Sequence, residues 1–202
     1  MPTTANMAKV NGIVISGAPA ASDAHVLIAT ATASSSATLS FTLGLDSLYD
    51  VYEFRFDNMH PATNDIYYTF QVNADGQTGF NETITSTSFY TLHNEADSST
   101  ALSYHASYDQ AQGTAYQTIA IGGGNGADES TSGILTLYDP SSTTYVKHFV
   151  AQGNAYHHAN GTITTHAAGY INTTSAIDEI SFKFSSGNTD AGVIKMYGIA
   201  TS

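Results

Sequence analysis

Cysteine and tryptophan are both absent from the 202 residues, and only five side chains are basic. Without cysteine there can be no disulfide, no thiolate nucleophile and no Cys-based zinc site. The missing thiols also lean mildly toward assembly in a cytoplasm, where disulfides are rare. Lys9, Arg55, Lys147, Lys183 and Lys195 are scattered and form no basic stripe. Nucleic-acid binding needs Lys and Arg to displace counterions from phosphates, so that class is excluded, as is attraction to an anionic membrane. Charge of either sign is scarce. Asp, Glu, Lys and Arg make up 11% of the residues, against roughly a quarter in an average chain. The acids outnumber the bases enough to leave a formal net charge of −12, which favours solubility. No apolar run approaches the length of a membrane span. The opening Met1-Pro2-Thr3-Thr4-Ala5-Asn6 lacks the basic region and apolar stretch of a signal peptide.

What the chain does have is period-two alternation, the mark of a half-buried strand. Leu39, Phe41, Leu43 and Leu45 fall on one face of their run. Tyr52, Phe54 and Phe56 alternate with Glu53, Arg55 and Asp57. Ile66, Tyr68, Phe70 and Val72 alternate with Tyr67, Thr69, Gln71 and Asn73, which places Tyr67 on the exposed side. Ile180, Phe182 and Phe184 repeat the pattern. Further strands are expected over 13–16, 84–92, 115–121, 134–138, 145–151, 163–171 and 193–199. Turn-forming clusters separate them: Asn73-Ala74-Asp75-Gly76, Gly122-Gly123-Gly124-Asn125-Gly126, Asp139-Pro140-Ser141-Ser142, Asn160-Gly161 and Ser185-Ser186-Gly187-Asn188. No segment carries helical periodicity over three turns. The pattern predicts an all-β, antiparallel β-sandwich, jelly-roll-like, over 38–202. Residues 1–37, which include an Ala-, Ser- and Thr-rich stretch without aromatics, read as an N-terminal arm or edge strands.

Tests for chemistry point away from catalysis. No Gly-x-Ser-x-Gly elbow is present. The glycine run 122–126 is followed by Asp128 and Glu129, which repel phosphate, so it reads as a mobile surface loop. His148, His157, His158 and His166 are the best metal candidates, but their spacing meets no ligand pattern. The adjacent His157 and His158 could share an ion only from a loop. Asn73 to Gly76 resembles the start of a calcium loop, yet Ile84 stands where the bidentate Glu belongs. Glu53 and Glu179 are acids of the type that glycoside hydrolysis needs, with nothing to set them opposite each other. The reading is therefore no enzyme, no cofactor, no metal and no catalytic residue. The surface must be built mainly from Ser, Thr, Asn, Gln and Tyr, and such side chains suit contact-making because they desolvate more cheaply than charges.

Four runs carry a family resemblance. They are 45–54 (Leu-Asp-Ser-Leu-Tyr-Asp-Val-Tyr-Glu-Phe) leading to Asn58-Met59-His60-Pro61; Tyr68-Thr69-Phe70-Gln71-Val72-Asn73; 133–138 with 143–149; and 177–188 with 192–198. Together, over about 39–199, they resemble a family of virion structural proteins of marine tailed phages. The last run, strand, Ser-Ser-Gly-Asn turn and strand, reads as a hairpin. The resemblance implies a protein of the particle surface: a capsid decoration or a head- or tail-associated component. Its partners would be other virion proteins and further copies of itself, for instance in a trimer, after assembly in the bacterial cytoplasm. It transfers no catalytic residue. The alternative is a carbohydrate-binding adhesin module, of a tail fibre or other host-attachment part, with a glycan as its ligand.

Overall fold

The computed structural model describes residues 24–200 and, before them, a two-strand antiparallel ladder of β1 (Ala8–Val10) and β2 (Ile13–Ile15). The rest of the expected arm, and Ser16 of the expected 13–16 strand, lie outside the described residues. Thirteen further strands form one antiparallel network: β3 (His25–Thr32), β4 (Leu39–Phe41), β5 (Val51–Pro61), β6 (Ile66–Ala74), β7 (Ile84–Asn94), β8 (Thr100–Tyr104), β9 (Ala111–Gly113), β10 (Gln117–Gly123), β11 (Thr131–Tyr138), β12 (Lys147–His157), β13 (Gly161–Ile171), β14 (Ile177–Phe184) and β15 (Thr189–Ile199). One 3-10 turn, Ala106–Tyr108, is the only helical element among the described residues.

The network folds into two layers. The larger runs β3-β15-β5-β11-β12-β13-β7, with β8 and β9 both on the far edge of β7. The smaller runs β4-β14-β6-β10. A single ladder pair, Gly123 with His157, joins β10 to β12. At the other side β3 and β4, the two ends of the strand path, touch without pairing, so the whole is an antiparallel sandwich curled nearly into a barrel.

Aromatic rings from the alternating runs fill the space between the layers. Phe54 of β5 meets Phe41 of β4 and Phe182 of β14 at centroid distances of 5.7 and 5.5 Å. Phe56 meets Tyr68 at 5.1 Å, and Phe70 meets Phe149 at 5.0 Å. These rings are buried, together with Ile180, Leu135, Leu137, Ile194 and Met196. Burial of this kind stabilises by about 1.5–3 kcal/mol per large side chain.

β10 is buried on both faces. The large sheet curls past its edge, and β7 and β13 lay Tyr90, Leu92 and Ile163 over its Ile121 in a second, smaller cluster. Tyr67 belongs to that cluster, with its ring 4.9 Å from Tyr108, so it is half-buried rather than exposed. The buried amides of Gln71 and Gln117 tie the covering loops down. Gln71 Nε2 donates to the carbonyls of Glu82 and Ala115, and Gln117 Nε2 to that of Tyr108.

Two further expectations need correction. β14 and β15 do not form a hairpin: β14 pairs with β4 and β6, while β15 pairs with β3 and β5. Their turn crosses from one layer to the other, with Gly187 at φ +70°. The glycine run is not a surface loop throughout, because Gly122 and Gly123 are buried in β10. A Cβ on Gly122 would lie 2.5 Å from the His157 ring, and its φ of +70° disfavours any other residue. Residues 25–32 form an edge strand of the large sheet, the second of the two readings given for the N-terminal segment. The expected hairpin at Asn160-Gly161 is present between β12 and β13, with Asn160 at φ +56°.

Candidate binding face

The outward face of the large sheet is built by the register of its ladders. One row crosses eight strands: Thr30, Lys195, Arg55, Ile134, Gln152, His166, Phe89 and Tyr104. The next row holds Ser132, Asn154, Thr164, Thr91 and Leu102. On the other side run Thr136, Val150, Ala168 and Thr87. Across β11, β12, β13, β7 and β8 the outward residues include no Asp, Glu, Lys or Arg. The one charged residue in those strands, Lys147, is buried and turned inward. Its ammonium donates to the carbonyls of Ser175 (2.6 Å) and Thr173 (3.2 Å), and burial holds its pKa below the ordinary lysine value.

Charge gathers instead at the margins. On β5 and β15, Arg55 Nε donates to Glu53 Oε1 at 2.5 Å, and Lys195 lies 4.0 Å from Asp57. At one end of the strands, Glu95, Asp97 and Asp128 stand on the loops beside the face.

Three adjoining hollows open on this face. The largest, of about 480 Å³, lies between Asn154, Tyr156, Thr162, Glu95 and Asp128. It shares Ser132 and Asn154 with a second of about 390 Å³ beside Arg55 and Ile134. That one shares Gln152 with a third of about 270 Å³, between Phe89, Val150 and His166. Together they make a trough along β12. Its floor is fixed because the strands beneath are paired on both sides. At the acidic end Tyr156 donates its hydroxyl to Glu95 Oε1 at 2.8 Å, and that bond raises the tyrosine pKa above its ordinary value. Asn154 Nδ2 donates to the hydroxyls of Thr162 and Thr164, at 2.8 and 3.0 Å. At the other end the Phe89 and His166 rings stack at 4.9 Å.

The histidines singled out from sequence do not converge. His148 and His157 sit at opposite ends of β12, and His166 belongs to the trough. His157 and His158 do meet, with ring centroids 4.2 Å apart, because His158 stands in the turn. His158 Nδ1 is 3.1 Å from Asp65 Oδ1, and burial followed by the neighbouring His158 pushes the His157 pKa down. Among the described residues no three His, Asp or Glu side chains are grouped to hold a metal ion. Asn73 is buried in β6 with Nδ2 donating to Glu179 at 3.0 Å, so it is a strand residue rather than a calcium-loop ligand. Glu53 and Glu179 lie on different layers, and neither lines the trough.

Sequence reasoning found the low charge but not this face. Gln152, Asn154, Tyr156 and Phe89 carry no motif, and only the ladder register brings them together. No family model, no curated protein and no solved structure matches the chain.

Proposed function

We propose that the chain is a virion structural protein displayed on the particle surface, as a capsid decoration or a head- or tail-associated component. The carrying observation is the uncharged outward face across five adjacent strands. Interface cores are depleted of charge, and exposed apolar side chains within a neutral polar field favour association. Leu102, Tyr104, Val150 and Phe89 supply such area, Leu102 being 75% and Tyr104 63% exposed. The resemblance of the four sequence runs to phage virion proteins supports the setting. Contact with other virion proteins and with further copies of the chain follows from the same face. Mass spectrometry of purified virions should detect the chain at structural stoichiometry, and its absence from the particles would sink the reading. Light scattering of the isolated protein should give an oligomer rather than a monomer.

A second reading, a carbohydrate-binding adhesin module, is favoured by one feature. The face is hollowed into a trough lined by amides, hydroxyls and rings, with Glu95, Asp97 and Asp128 at one end and Arg55 and Asp57 along one flank.

A further inference from the structure

We infer that the trough along β12 binds a neutral, hydroxyl-rich linear glycan, held by Gln152, Asn154 and Tyr156. The inference rests on reading the outward face as a binding surface, and it is independent of where the protein sits on a particle.

The lining selects the chemistry. A side-chain amide presents a donor and an acceptor side by side, which matches the paired hydroxyls of a sugar ring. Asn154 uses its NH2 group on Thr162 and Thr164, leaving its carbonyl oxygen to accept from a ligand hydroxyl. Gln152, exposed one step along the same strand face, offers both groups. Glu95 accepts from Tyr156 through Oε1, which fixes the Tyr156 ring and leaves Oε2 for other donors. A carboxylate accepts and cannot donate when ionised, so it suits a polyol and disfavours an anion.

Charge narrows the ligand further. Glu95, Asp97 and Asp128 at one end, on a chain of net charge −12, repel sulfated and uronic-acid polymers. Nucleic acid is disfavoured on the same ground. An extended peptide is also a poor fit. Peptides that add to sheets do so at an edge, through unpaired backbone groups. Here β11, β12, β13 and β7 are paired on both sides, so only side chains are on offer. At the far end the stacked Phe89 and His166 rings and Val150 give an apolar shelf for the C–H face of a sugar. From Val150 to Tyr156 the trough spans about 20 Å at the usual strand rise, room for several rings in line.

The test is affinity electrophoresis of the full chain in gels containing dextran, laminarin or mannan, beside gels containing alginate or dextran sulfate. At least one neutral polymer should retard the protein, and the two anionic ones should not. Gln152→Ala combined with Asn154→Ala, and separately Tyr156→Ala, should weaken that retardation at least about tenfold. Thermal melting of each variant confirms that it is folded. Leu48→Ala, on a loop away from the trough, should bind as the parent does. Retardation by none of the neutral polymers would overturn the inference, as would equal retardation by the anionic ones. So would unchanged binding by the folded trough variants. None of these outcomes touches the virion reading, which mass spectrometry of particles decides separately.

Discussion

Tyr52 and Tyr68 are both fully buried, and their hydroxyls are treated differently. Tyr52 donates to Asp46 Oδ1 at 2.8 Å and accepts from the Asp46 backbone N–H at 3.1 Å. The Tyr68 hydroxyl is buried with no hydrogen-bond partner among the described residues. A buried polar group without a partner costs about 1–3 kcal/mol. Tyr68→Phe should therefore raise stability by about 1 kcal/mol, whereas Tyr52→Phe should lower it by about 1–2 kcal/mol. Urea unfolding of the two variants reads the difference, and equal signs would refute the assignment. At this scale the sequence was largely legible. The alternation at 52–56, 66–72 and 180–184 identified which aromatics face inward, because a strand has only two faces. It misplaced Tyr67, since a second layer of strands covers the side that alternation marks as solvent.

Within the elements, β12 is the strand on which the fold and the candidate site both depend. Inward, its Gly153 allows β10 to approach closely: a Cβ there would lie 2.6 Å from both the Ala120 Cβ and the Ile119 carbonyl oxygen. Backbone cannot yield as a flexible side-chain tip can. Gly153→Ala should cost about 2–3 kcal/mol in urea unfolding. Gln152→Ala, one residue away and facing outward, should change stability by no more than about 0.5 kcal/mol. Equal effects would mean that the two faces of β12 are not as distinct as described. The strands that escaped sequence reading are β8 and β9, while β1 and β3 fall in the segment read as an arm or edge strands. None of β8 is fully buried and β9 is three residues long, so no apolar stripe announces β8 or β9. The β14–β15 turn was legible as a turn. Whether its two strands pair with each other or with others is decided by distant residues.

For the whole molecule, tyrosine dominates the response to alkali. Burial raises the Tyr52 pKa to about 12 from an ordinary 10.0, and burial raises that of Tyr68 well above it. The folded state thus keeps protons that the unfolded chain releases near pH 10. Below pH 10 this contribution to stability is fully present, and it is lost as pH rises through the folded values. Urea midpoints should therefore hold up to about pH 10 and fall between pH 10 and 12, with tyrosinate absorbance appearing together with unfolding. A midpoint flat across that window would contradict the buried tyrosines. The candidate face also belongs to this scale. Its poverty of charge was visible in composition, but confining charge to its margins depends on the order in which strands pair.

That order also governs when the large sheet can close. β15, at 189–199, lies between β3 and β5, which are separated from it by more than half the chain. During synthesis those two strands emerge early, and the edges they turn to β15 stay unpaired until β15 has left the ribosome. The large sheet therefore closes only after translation has passed its final element, and the waiting edges are the stage most open to aggregation.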